Sequence, residues 1–85
     1  MSLARDLIAA IIDAERALDD QIMKLHSFQN RNDELMQEIS NATEGSSHSS
    51  AQNMRNQLSV TQKQLETTIS QLQSAKTALI RVRTI

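Results

Sequence analysis

Apolar residues recur in the first half of the chain at the three- and four-residue spacing that marks one face of an α-helix. Two lines of positions with a seven-residue period carry the pattern. They are Leu7, Ala14, Gln21, Phe28 and Leu35, and Ile11, Leu18, Leu25, Asn32 and Ile39. We therefore predict a helix over about 3–40, with Ser2 as its N-cap. An eleven-residue period fits the early part of this helix as well, and would give a straighter path.

The apolar stripe of this first helix is wider than a two-line seam. The residues that widen it are Ile8, Ile12, Ile22, Met23 and Met36. A face of this width suits a bundle in which one helix meets several neighbours.

The second half of the chain repeats leucine every seven residues. The line consists of Leu58, Leu65, Leu72 and Leu79, with Ala51 one heptad earlier, and its companion line is Met54, Thr61, Thr68, Ala75 and Val82. This pattern predicts a second helix over about 51–83, with Ile69 beside the seam. Its contact face is narrower and more polar than that of the first helix.

One run, residues 41–50, separates the two helical patterns; it contains the only glycine, Gly45, among several serines. We predict one all-α domain over residues 1–85, an antiparallel two-helix hairpin with a loop at 41–50. A hinge near Gly45 would bring Glu15 near Lys76 and Glu66 near Lys24. Two such hairpins would pack into a four-helix bundle.

Composition supports association as the source of stability. A chain of 85 residues buries little core, and this one has no cysteine for disulfides. Residues 1–40 hold eight acids and four bases, and residues 51–85 hold five bases and one acid. These opposite net charges favour pairing of the two helices, whereas the net charge of −1 for the whole chain gives no bias towards polyanions.

No pattern in the sequence predicts catalysis, a cofactor or a metal site. The carboxylate pairs Asp19-Asp20 and Asp33-Glu34 fit a solvated helix face, and no Glu-x-x-His motif accompanies them. His26 borders the apolar stripe, where it would titrate at an interface or simply be solvated; His48 lies among serines. The leucine heptads lack the preceding basic helix of a zipper transcription factor, so we expect no nucleic-acid partner.

Two polar residues, Gln21 and Asn32, fall on the predicted apolar lines. A buried polar residue at such a position fixes helix register at some expense of stability. The alternative is that the stripe turns and leaves both residues at its edge. The sequence pattern is compatible with either outcome.

The location expected from the sequence is the cytoplasm, or the exterior by a route without a cleavable signal peptide. The longest apolar run, Leu7 to Ile12, is much shorter than the ~20 residues that span a bilayer. Asp13 follows this run with no small-residue cleavage site. We therefore expect no membrane span.

The layout of two long helices around a short break resembles the small WxG-type proteins of type VII (ESX) secretion systems. The break reads Thr43-Glu44-Gly45, which keeps the glycine of the motif and lacks its tryptophan; the chain also lacks the tyrosine of the family's C-terminal export motif. The resemblance implies a helical hairpin that dimerises into a four-helix bundle and is exported or escorts an export substrate.

The function predicted from these observations is a non-enzymatic helical interaction protein that pairs with itself or with a second helical protein. The alternatives are a cytoplasmic chaperone or adaptor, and a structural coiled-coil component of a phage or secretion assembly. The predicted interface residues are Leu7, Ile11, Leu18, Ile22, Leu25, Phe28, Leu35, Ile39, Leu58, Leu65, Leu72 and Leu79.

Overall fold

The computed structural model describes residues 3–43 and 49–85, which form two antiparallel α-helices packed against each other. Helix α1 spans Leu3–Ala42 and helix α2 spans Ser49–Arg83. The Cα atoms fill an elongated volume of 67 × 15 × 14 Å. The predicted all-α, two-helix architecture is therefore confirmed. The predictions made for Ser2, Gly45 and His48 concern positions outside the described residues.

Local sequence explains why both segments are helical. Alanine, leucine, glutamine, glutamate, lysine and arginine, the best helix formers, dominate both helices. Asp6 lies in the first turn of α1, and Arg81 and Arg83 lie in the last turn of α2, so these charges complement the helix dipoles. At the end of α1, the amide and hydroxyl of Thr43 both donate to the carbonyl of Ile39, at 3.0 and 2.6 Å.

The contact between the helices is a regular seam in which inward-facing residues alternate at spacings of four and three. On α1 it contains Ile11, Glu15, Leu18, Ile22, Leu25, Gln29, Asn32, Met36, Ile39 and Thr43, and on α2 Ala51, Arg55, Leu58, Gln62, Leu65, Ile69, Leu72, Lys76, Leu79 and Arg83. Every one of these residues is buried or half-buried. The seam therefore follows a heptad period along the whole overlap of the helices.

Half of this seam differs from the sequence-based prediction. The lines that begin at Ile11 and Ala51 lie in the seam, as predicted. The companion lines were predicted to begin at Leu7 and Met54, but the structure uses those that begin at Glu15 and Arg55. Because Glu15 follows Ile11 by four residues, as Arg55 follows Ala51, each helix is rotated about its axis relative to the prediction.

The register of the helices also differs from the prediction. Glu15 pairs with Arg83, at 2.7 Å, and not with Lys76. Lys76 instead pairs with Asp19, at 2.6 Å. The predicted neighbour of Glu66 was Lys24, but Lys24 pairs within its own helix. Compared with a hairpin that folds symmetrically around residue 45, these pairs show α2 displaced along α1 by about one helical turn.

No helix in the described part of the chain has an apolar stretch long enough to cross a membrane.

Candidate functional site

The two sides of the hairpin that flank the seam differ sharply in chemistry. We name one side the open face. It contains Leu7, Ala14, Gln21, Phe28, Leu35 and Ala42 from α1, and Met54, Thr61, Thr68, Ala75 and Val82 from α2. The other side, the polar face, contains Ile12, Asp19, His26, Asp33 and Ser40 from α1, and Gln52, Ser59, Glu66, Gln73 and Ile80 from α2.

Contacts between the helices show that each face is built from both of them. A groove between α1 and α2 is lined by Gln21 and Leu25 on one side and by Thr68 and Leu72 on the other, which places Gln21 and Thr68 on the same face. On the opposite side, Asp33 accepts a hydrogen bond from Gln62 at 3.0 Å. Since each set repeats every seven residues, its other members lie along the same side.

The open face exposes large apolar side chains that the fold of one chain leaves uncovered. Leu7 is 58% exposed, Phe28 53%, Leu35 45%, Met54 52% and Val82 55%. None of the eleven residues that define the face is charged. Large apolar side chains exposed along one side of a helical hairpin mark a protein–protein contact more often than a solvated surface.

The apolar groove between the helices lies in the middle of this face. It has a volume of about 330 Å³ and is lined by Gln21, Lys24, Leu25, Thr68 and Leu72. Its exposed lining is apolar, because the stems of Gln21 and Lys24 contribute carbon atoms there. The groove is therefore an open apolar depression with room for one large side chain.

Ion pairs between the helices are concentrated at the seam and the polar face. Arg83 donates to Glu15 through Nε at 2.7 Å and through Nη2 at 3.3 Å, a two-point contact. This hydrogen bonding, with the attraction of the carboxylate, raises the pKa of Arg83 above its ordinary value. Glu15 is 8% exposed, so Arg83 supplies the charge that a buried carboxylate needs.

The buried polar residue Asn32 connects the seam to the polar face. Its side-chain amide donates to the carbonyl of Leu58 at 3.0 Å and to the side-chain oxygen of Gln62 at 2.9 Å. Gln62 in turn donates to Asp33. Asn32 therefore lies in the seam, where a register-fixing residue would lie. Gln21, the other polar residue on the predicted apolar lines, is exposed at the edge of the seam.

The structure divides the predicted interface residues into two groups. Leu7, Phe28 and Leu35 lie on the open face, and all the others lie in the seam between the helices. The sequence pattern missed the polar members of the seam other than Asn32, which are Glu15, Gln29, Thr43, Arg55, Gln62, Lys76 and Arg83. Ile69, which was predicted beside the seam, is 5% exposed and belongs to its core.

The candidate chemical residues form no reactive cluster. Within the described ranges no three acidic or histidine side chains come close enough together to hold a metal ion. Asp20 pairs with Lys24 at 2.9 Å, and His26 lies 3.3 Å from the side chain of Gln29 on an exposed surface. These residues are engaged in ordinary surface contacts.

The site of interest is thus the open face and its groove. Comparison of the chain with protein-family models, with curated proteins and with solved structures gave no significant match.

Proposed function

We propose that this protein is a non-enzymatic helical association module whose open face packs against another helical hairpin to form a four-helix bundle. The observation that carries the proposal is the asymmetry between the faces. None of the eleven residues that define the open face is charged, and five of them are large apolar side chains that are about half exposed. The other side holds polar contacts between the helices. On the polar face, the ion pair between Asp19 and Lys76 remains partly exposed to solvent and therefore hydrated. The open face gains most from being covered, since apolar burial contributes about 25 cal/mol per Å².

The size of the open face supports a stable association. Helix α2 has 35 residues, which corresponds to a length of about 50 Å. Two helices side by side are about 20 Å wide, so the face covers on the order of 1,000 Å². Two such faces would bury about 2,000 Å² in total, the upper end of the range for standard protein–protein interfaces.

The small residues of the face support close packing. Ala14 of α1 lies near the same end of the hairpin as Ala75 and Val82 of α2, because Arg83 pairs with Glu15. Small side chains allow helix axes to approach to about 8 Å, the short end of the usual range. A partner helix can therefore lie deep against this end of the face.

Sedimentation analysis at several concentrations tests the proposal with two matched pairs of variants. Leu35→Asp on α1 and Val82→Asp on α2 place a charge on the open face. Met23→Asp and Val60→Asp place the same charge on exposed apolar residues outside it. We expect the first two variants to dissociate while remaining helical, and the two controls to associate as the wild type does.

Wild-type association that all four variants retain equally would refute the module, because the open face would then not be the surface that packs. A folded wild-type monomer at every concentration up to the millimolar range would refute self-association alone. Circular dichroism at each concentration separates dissociation from unfolding.

The WxG-like layout favours one physiological setting for this module, namely export through a type VII secretion system as a substrate or as the escort of one. Helices of 40 and 35 residues are of nearly equal length, as that layout requires. The test is to follow the protein in the culture medium of its native host with and without the secretion ATPase. Equal amounts in the medium of the two strains would exclude this setting.

A further inference from the structure

Phe28 is the only aromatic residue of the chain, and it lies on the open face next to the groove without filling it. Its side chain is 53% exposed. It is not among the residues that line the groove, although Leu25, which does line it, is only three residues earlier on the same helix. A large exposed side chain and an unfilled groove with an apolar exposed lining thus lie side by side on the open face.

We propose that the partner of the open face is a second copy of this chain, and that Phe28 of each copy inserts into the groove between Leu25, Thr68 and Leu72 of the other. This inference rests on the proposed function, because it names the partner of the same face. An interface that carries both the projecting residue and its receptor is self-complementary. A two-fold axis then satisfies both copies at once.

The level of Phe28 along the hairpin matches that of the groove. Asp19 lies opposite Lys76, and Asp33 lies opposite Gln62. Phe28 falls between these pairs, so the same progression places it opposite residue 67, next to Thr68 of the open face. A two-fold axis parallel to the helices keeps every residue at its own level and lays α1 of one copy over α2 of the other. Phe28 then lies over the partner's Thr68, at the wall of the groove.

The direction of the side chain improves this match. Side chains on a helix lean towards its N-terminus, so Phe28 reaches over the turn that contains Leu25. In the partner, the groove spans this level. A cavity of about 150 Å³ holds a benzene molecule, so a groove of about 330 Å³ accommodates the ring together with neighbouring atoms.

The charges of the helices favour this orientation of the two-fold axis. Helix α1 carries eight acids and four bases, and α2 carries five bases and one acid. An axis parallel to the helices places each acidic α1 beside the partner's basic α2. A perpendicular axis would place acidic beside acidic and basic beside basic, which like-charge repulsion disfavours.

The natural absence of cysteine makes the contact directly testable by cross-linking. We would mix a Phe28→Cys protein with a Thr68→Cys protein and oxidise the mixture. A disulfide needs Cα atoms closer than about 7 Å, so a reducible dimer that contains one copy of each reports the proposed contact. Met23→Cys mixed with Thr68→Cys is the control, because Met23 lies outside the open face, and we expect no mixed dimer from it.

Truncation of the ring supplies a second measurement. We expect Phe28→Ala to weaken self-association at least a hundredfold while leaving the helical circular dichroism at high concentration unchanged, and Met23→Ala to leave association as it is. If the protein associates through the open face yet Phe28→Ala has wild-type affinity, or if cysteines at 28 and 68 never join, the Phe28 contact is wrong while the association module stands. A wild-type protein that never associates with itself overturns the inference of a second copy.

Discussion

The side-chain amide of Asn32 donates to the side-chain oxygen of Gln62 at 2.9 Å, which ties the C-terminal half of α1 to the N-terminal half of α2. Asn32 is 5% exposed and stands in a line of otherwise apolar residues. Because its partners are fixed atoms on the facing helix, a slip of either helix by one turn would leave a buried amide unpaired. Asn32 thus favours one register over its neighbours.

Replacement of Asn32 by leucine is expected to raise the thermal midpoint of unfolding. The new side chain extends the apolar line formed by Leu25 and Ile39, and buried polar residues are often less stabilising than apolar ones of similar size. The variant is also expected to lose its unique register, visible as several species in sedimentation. Asn30→Leu, on an exposed position of the same helix, should change neither property. A lower midpoint for the Asn32 variant would contradict this account.

Exchange of the charges at Glu15 and Arg83 tests the two-point ion pair. Glu15→Arg alone places two cations in contact near the end of the seam, and Arg83→Glu alone places two carboxylates there. Each single variant is expected to melt at a lower temperature than the wild type. The double variant restores an opposite pair and should recover most of the loss, as measured by thermal circular dichroism. Additive losses in the double variant would show that the two residues do not interact.

Truncation of Ile69 tests where the core of α2 lies. Ile69 is 5% exposed, the lowest value among the apolar residues that the structure describes. Removal of a buried isoleucine side chain down to alanine costs about 2–4 kcal/mol, towards the lower end here because a hairpin core is thin. Val60→Ala, on a half-exposed position of the same helix, is the control and should change stability little. Urea unfolding gives both values, and equal effects would place Ile69 outside the core.

The pair of Lys24 with Asp20 predicts a specific pH dependence. The hydrogen bond to Asp20, and then its charge, raise the pKa of Lys24 above the ordinary 10.5. A raised pKa means that the folded state holds the proton more tightly, so this contribution is fully present below pH 10.5 and is lost as the pH rises through the raised value. The contribution is small because both side chains are largely exposed.

Comparison with Lys24→Gln isolates this effect. The wild type is expected to melt slightly higher than the variant at neutral pH, and the two midpoints should converge in strongly alkaline solution. The chain has no tyrosine or cysteine that would titrate in the same range. A difference that grows with pH would have the wrong sign for this pair.

The sequence predicted the two helices because long runs of good helix formers are interrupted at only one place. It also predicted the leucine line of α2, since Leu58, Leu65 and Leu72 recur every seven residues and are half-buried against α1. These features depend on short-range periodicity, which a single sequence records directly.

The companion lines of the seam escaped prediction for a physical reason. Arg55, Lys76 and Arg83 lie at the seam with their stems covered and their charged ends paired or near water, so their type gives no sign of an inward position. The line that contains Phe28 and Leu35 is more apolar than the line that begins at Glu15, so the sequence pattern favours it as the seam. An apolar pattern marks every surface that benefits from burial, including a surface that another molecule covers.

The first two turns of α1 also depend on what covers the open face. Residues 3–10 are all exposed, because α2 does not reach along them, and they include Leu7 and Ile8. With so few tertiary contacts, the backbone amides of these turns are expected to exchange with deuterium rapidly in the isolated hairpin. In the proposed dimer the partner's α2 ends at the same level, so these turns are expected to keep exchanging rapidly after self-association. Slow exchange there would instead report a partner that extends along Leu7.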